Sequence, residues 1–152
     1  MKKVIVAALI SGVLFSMVSS CNKEENEVKV SKNGGMQSHN TGQNCMSCHK
    51  SGGSGEGRFV VAGTIYKADM VTPNPNVVVK LYTEQGGAGL LKATLYVDAK
   101  GNFYTTEAID LTQGLYPYVV GNGGSSQYMS STISSGACNS CHGVSTDKLW
   151  VD

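Results

Sequence analysis

Histidine is almost missing from this chain: three in 152 residues, at His39, His49 and His142. Arginine occurs once, at Arg58, and charge is sparse and nearly balanced, with 12 Lys or Arg against 11 Asp or Glu. Without a basic stripe there is no electrostatic footprint for nucleic acid, which is excluded as a partner. No βαβ pattern appears, so a Cys-x-x-Cys pair here lacks the setting of a thioredoxin-like redox site. The one long apolar run, Val4 to Val18, is too short to span a bilayer comfortably. What the chain has in quantity is glycine, 19 residues, alongside many valines and seven tyrosines. That composition suits short strands and loops more than helices, and the length suits one small domain.

Four of the five cysteines fall in two copies of one pentapeptide, Cys45-Met46-Ser47-Cys48-His49 and Cys138-Asn139-Ser140-Cys141-His142. In an exported chain, Cys-x-x-Cys-His reads as c-type haem attachment. Two thiols three positions apart in a short turn can each form a thioether to a haem vinyl group. The histidine that follows is then held under the macrocycle, where its imidazole binds iron. On these residues the chain resembles the dihaem c-type cytochromes. The resemblance implies two covalently attached haems, thioethers from Cys45, Cys48, Cys138 and Cys141, proximal iron ligands His49 and His142, and electron transfer. A structural zinc site would use four ligands and leave the histidine after each pair as coincidence.

The fifth cysteine, Cys21, ends a different pattern. Lys2 and Lys3, the apolar run and Val18-Ser19-Ser20-Cys21 read as a signal peptide over residues 1–20. The Val-Ser-Ser-Cys ending resembles the lipobox of bacterial lipoproteins, which implies acylation of Cys21. Residues 21–33 begin with the charged run Asn22-Lys23-Glu24-Glu25-Asn26-Glu27 and read as a disordered tether. No Asp follows Cys21, and Lys before two acidic residues resembles a surface-export signal of bacterial lipoproteins. The expected location is the outer membrane, facing the periplasm or the cell surface, with the lipid as anchor.

Residues 34–57 form the first haem-binding segment, 58–121 a β-sandwich, and 122–152 the second haem-binding segment with a C-terminal strand. Strands are expected over 58–66, 76–82, 91–97, 103–106 and 116–120, with a sixth around 128–133, where β-branched and aromatic residues run between Gly and Pro breaks. The fold class is therefore all-β, a small antiparallel sandwich of about six to seven strands. Val61-Ala62-Gly63-Thr64-Ile65, then Pro75 leading into Val77-x-Val79-x-Leu81, then Asp98-x-x-Gly101-x-Phe103 resembles the carboxypeptidase-regulatory or transthyretin-like sandwiches. Those are scaffolds, and the likeness implies no activity. An even strand count would return the chain to its starting pole and set the two haem motifs side by side.

Two irons need distal ligands, and only His39 remains among the histidines. Of the methionines, Met46 lies beneath its own macrocycle and Met70 precedes a proline turn. Met36 is a reserve, and Met129, in a glycine–serine neighbourhood, is the stronger candidate. His39 and Met129 are the expected distal ligands. The implied function is electron carriage, with redox partner proteins or an extracellular acceptor as partners. A haem enzyme, a peroxidase or gas reductase, is the alternative, as is a surface ligand-binding sandwich with structural haem. No Arg/His/Glu constellation stands beside either motif to serve such an enzyme.

Overall fold

Seven short strands build two facing sheets in the computed structural model, which describes residues 27–152. The leader over 1–20, Cys21 and its acylation, and residues 22–26 of the expected tether lie outside the described residues. The strands are β1 (Val61–Thr64), β2 (Val78–Tyr82), β3 (Leu91–Tyr96), β4 (Asn102–Thr105), β5 (Tyr116–Val120), β6 (Ser126–Tyr128) and β7 (Gly136–Ala137). One sheet runs β4-β1-β7 and the other β3-β2-β5-β6. Every pair is antiparallel except β1 with β7. The protein is the all-β sandwich that its composition and strand spacing predict.

Alternation makes the core. In β2, Val79 and Leu81 are buried while Val78, Lys80 and Tyr82 stay partly exposed, and Pro117 and Val119 repeat the pattern in β5. Val79, Leu81 and Val119 share one core with Val61 and Phe103 of the opposite sheet. Each such side chain contributes about 1.5–3 kcal/mol when buried. The surface ion pair Lys29–Glu56, at 3.0 Å, is worth at most about 1 kcal/mol, so the core decides the fold.

β1 differs: all four of its residues are buried. It has β4 on one side and β7 on the other, and both cysteine turns pack against it. Gly63 is fixed by this crowding. A Cβ there would stand 2.6 Å from the Phe103 ring and 2.9 Å from Cys138 Cβ.

Four expectations need correction. The tether ends earlier than residue 33. Ser31 N–H bonds to Tyr104 O at 2.9 Å, Thr106 N–H bonds to Lys29 O at 2.9 Å, and Val30 bridges Thr105. The open edge of β4 offers unpaired backbone groups, and residues 29–31 satisfy them. The segment 122–152 is not external to the sandwich, since β6 joins one sheet and β7 the other. Ile133, expected within the sixth strand, makes only an isolated bridge to Leu115. The expected C-terminal strand is a single parallel bridge of Trp150 to Tyr66, flanked by Tyr66 N–H to Leu149 O at 2.8 Å and Val151 N–H to Tyr66 O at 3.1 Å.

Candidate cofactor-binding site

The two pentapeptides fold into the same local structure, although they share only Ser between the cysteines. Cys45–Ser47 and Cys138–Ser140 are each one 3-10 turn. In the first, the N–H groups of Cys48 and His49 both reach Cys45 O, at 3.2 and 3.0 Å; in the second, Cys141 and His142 reach Cys138 O at the same two distances. Ser47 Oγ donates to Asn44 O at 2.7 Å and Ser140 Oγ to Ala137 O at 2.6 Å. These serine bonds close each turn from the outside. In both copies the second cysteine is exposed and the first is half-buried, and all four are free thiols.

The histidines carry the sharper observation. His49 Nδ1 lies 2.9 Å from Glu56 O, and His142 Nδ1 lies 2.8 Å from Asp147 O. A carbonyl oxygen can only accept, so the proton sits on Nδ1 and the Nε2 lone pair is kept for a metal. Histidine ligands are usually held this way by their other nitrogen. At the first site the approach depends on Gly55, where a Cβ would fall 2.8 Å from the His49 ring. The ring also stacks on Phe59, at 4.1 Å and 5° between planes, and Phe59 stacks on Tyr104 at 4.7 Å. Among the described residues no three His, Cys, Asp or Glu side chains converge on one point. An iron already held by a macrocycle asks the chain for only one or two axial ligands. The donor set fits haem.

Each motif histidine has one of the expected distal candidates near it. His39 is exposed, its ring centre 5.8 Å from that of His49. Met129 is half-buried and fixed by its own N–H to Pro117 O at 3.2 Å. It lines, with His142, a cavity of about 250 Å³ whose walls include Val61, Leu81, Phe103, Cys138 and Cys141. An adjoining cavity of about 310 Å³ shares His142 and Met129 and adds Tyr128, Asp147 and Lys148. The second site thus opens into the apolar core, while the first lies on the surface. Met36 is 68% exposed. Met46 lies within the first cysteine turn, and Met70 sits in a tight turn at φ 55°.

Burial sets the chemistry of the inner thiols. It pushes Cys45 up, opposed by a backbone hydrogen bond and reinforced by the Asp98 carboxylate. It pushes Cys138 up to about 12, again opposed by a backbone bond, with Cys45 and Cys141 adding to the rise. Thiolate is the reactive form, so the raised values disfavour reaction at both inner sulfurs. That Cys45 acts on Cys138 sets the inner sulfurs of the two motifs within each other's field.

Sequence reasoning missed Asn139. It is 5% exposed, and its amide bonds both β1 and the loop before Cys45. A spacer position in a short motif carries no signal of burial. Gly55 and Gly63 were also hidden, among many glycines that only mark loops. No family profile, curated protein or solved structure matches the chain.

Proposed function

We propose that this chain is a dihaem c-type cytochrome that carries electrons, held to the outer membrane by a lipid on Cys21. The observation that carries the reading is the pair of histidines, each following a Cys-x-x-Cys turn and each proton-locked on Nδ1 by a backbone carbonyl. Cys45 and Cys48 would hold one haem and Cys138 and Cys141 the other, with His49 and His142 as proximal ligands. When bound, the two groups supply reversible one-electron carriage.

The residues around them divide the labour. His39 and His49 offer the first iron two imidazoles at the surface. His142 and Met129 offer the second an imidazole and a thioether beside an apolar cavity. Met/His ligation raises a potential relative to two histidines, and burial tunes it further. The surface site therefore suits exchange with a redox partner protein or an extracellular acceptor, and the cavity site suits holding the electron.

The test is redox-resolved spectroscopy of the exported protein with a pyridine haemochrome assay and intact mass. Two covalent haems with two separate potentials are expected. One haem, or haem removed by acid–acetone extraction, overturns the reading. The anchor is tested separately: wild type should partition into detergent and incorporate a fatty-acid analogue, and Cys21→Ala should do neither.

A further inference from the structure

Between the two cysteine turns runs a polar network in which every buried side-chain polar atom has a partner. Asn139 Oδ1 accepts the Thr64 N–H at 3.1 Å, and Asn139 Nδ2 donates to Gln43 O and Thr64 Oγ1, both at 3.1 Å. Thr64 Oγ1 also accepts the Gly42 N–H at 3.0 Å and donates to Asn102 Oδ1 at 2.7 Å. Asn102 Nδ2 continues to Ser38 Oγ at 2.9 Å and Thr41 Oγ1 at 3.3 Å. Lys100 Nζ donates to Ser38 O at 2.5 Å. Thr64 is 1% exposed and Asn102 2%. Among the described residues no buried side-chain polar atom lacks a partner.

The path has a direction. It starts inside the second cysteine turn, crosses β1 and β4, and ends on Ser38, the residue before His39. It also holds Gly42 and Gln43, just ahead of Cys45. A hydroxyl has one donor and two acceptor sites, so the Thr64 hydroxyl is saturated, and Asn139 uses both of its donors and accepts one bond at Oδ1. Saturated buried networks are rigid, and a partly satisfied one is costly.

We propose that Asn139 and Thr64 are positioning residues that lock the two cysteine turns and the His39 segment into one unit. On the dihaem reading, they set the spacing of the irons and the distal ligation of the first. Neither residue touches a reacting atom, so the effect passes through Gln43, Ser38 and the backbone of the turns.

Two variants of the full exported protein decide it. Thr64→Val keeps shape and removes the hydroxyl hub. Asn139→Asp keeps the acceptor for the Thr64 N–H and loses both donors. Both should retain two haems by mass. The magnetic coupling between ferric irons, read by electron paramagnetic resonance, should weaken and broaden, and the first haem should gain a high-spin fraction. Coupling and spin state identical to wild type in both variants overturn the proposal. If Asn139→Asp does not accumulate, Thr64→Val, which lies outside the motif, decides alone. A readout free of haem accompanies these: exchange of the Gly42 amide should quicken about tenfold in Thr64→Val, the scale of one hydrogen bond. If wild type lacks two haems, the functional reading falls. The lock itself is then settled by this exchange, with acceleration supporting it and an unchanged rate overturning it.

Discussion

The ring of His39 stands 5.8 Å from that of His49, centre to centre, with the planes tilted by 38°. Two imidazoles that bind one metal ion from opposite sides have centres about 6 Å apart, from two bonds of about 2 Å and about 1 Å within each ring. On the dihaem proposal, this spacing would let the two rings share one iron. Nothing in the sequence interval between them fixes this. Bonds from Asn102 and Lys100 to Ser38 bring the segment there.

On the dihaem proposal, His39→Ala should convert the haem at Cys45 and Cys48 to high spin and leave the other unchanged. Visible and electron paramagnetic resonance spectra of the purified protein check this. An unchanged spectrum would transfer the role to Met36.

Met129→Ala should act on the other site. The haem at Cys138 and Cys141 should lose its thioether ligand, and its midpoint potential should fall in a spectroelectrochemical titration. The first haem should keep its potential.

Two glycine substitutions should separate stability from ligand orientation. Gly63→Ala drives a methyl into Phe103 and Cys138 and should cost about 1–3 kcal/mol, the usual penalty for overpacking a core. Denaturant unfolding would show a lower midpoint at constant slope. Gly55→Ala pushes the loop away from the His49 ring and loosens the Glu56 carbonyl. The first haem's potential should shift, with little change in the unfolding midpoint.

Acid titration should find a depressed carboxyl in the turn at residues 67–72. Asp69 is held at about 2, below its ordinary 3.8, by the Thr72 hydroxyl first and then by the Val71 and Thr72 N–H groups. Its folded value is lower than its unfolded one. The stabilisation is thus present above 3.8 and is lost as pH falls through about 2. A carboxyl titration by nuclear magnetic resonance should find this value, and Thr72→Val should move it upward.

The strands were legible because their signals are local. Val79 and Leu81 alternate with polar or exposed neighbours, and Asp98 to Asn102 reads as a turn. In the structure Asp98 Oδ1 takes the N–H groups of Lys100 and Asn102 at 2.9 and 3.0 Å. The cysteine turns were legible because two residue types at three fixed offsets recur in both pentapeptides. The pairing of β7 with β1 was not. Gly136 and Ala137 make a two-residue strand, which has no period to read, and its parallel direction depends on a partner far away in sequence. Counting strands also gave no route to it, since the motifs adjoin through β1 rather than through an even number of reversals. Asn139 was hidden for the same reason: its role is defined by Thr64, 75 positions earlier.

That distance governs the order of events in assembly. Thr64 must find partners 38 and 75 positions downstream before β1 is enclosed. Sheets built from such remote contacts close slowly, because loop entropy is lost before the contacts form. Until residues 136–141 arrive, Cys45 waits on an unfinished edge, and Cys138 is still outside the wall that later shelters it. Thiol labelling pulsed during refolding should find both inner sulfurs reactive early and Cys138 shielded last. On the dihaem proposal, slow closure would give thioether chemistry an interval in which to reach sulfurs that the finished sandwich partly covers.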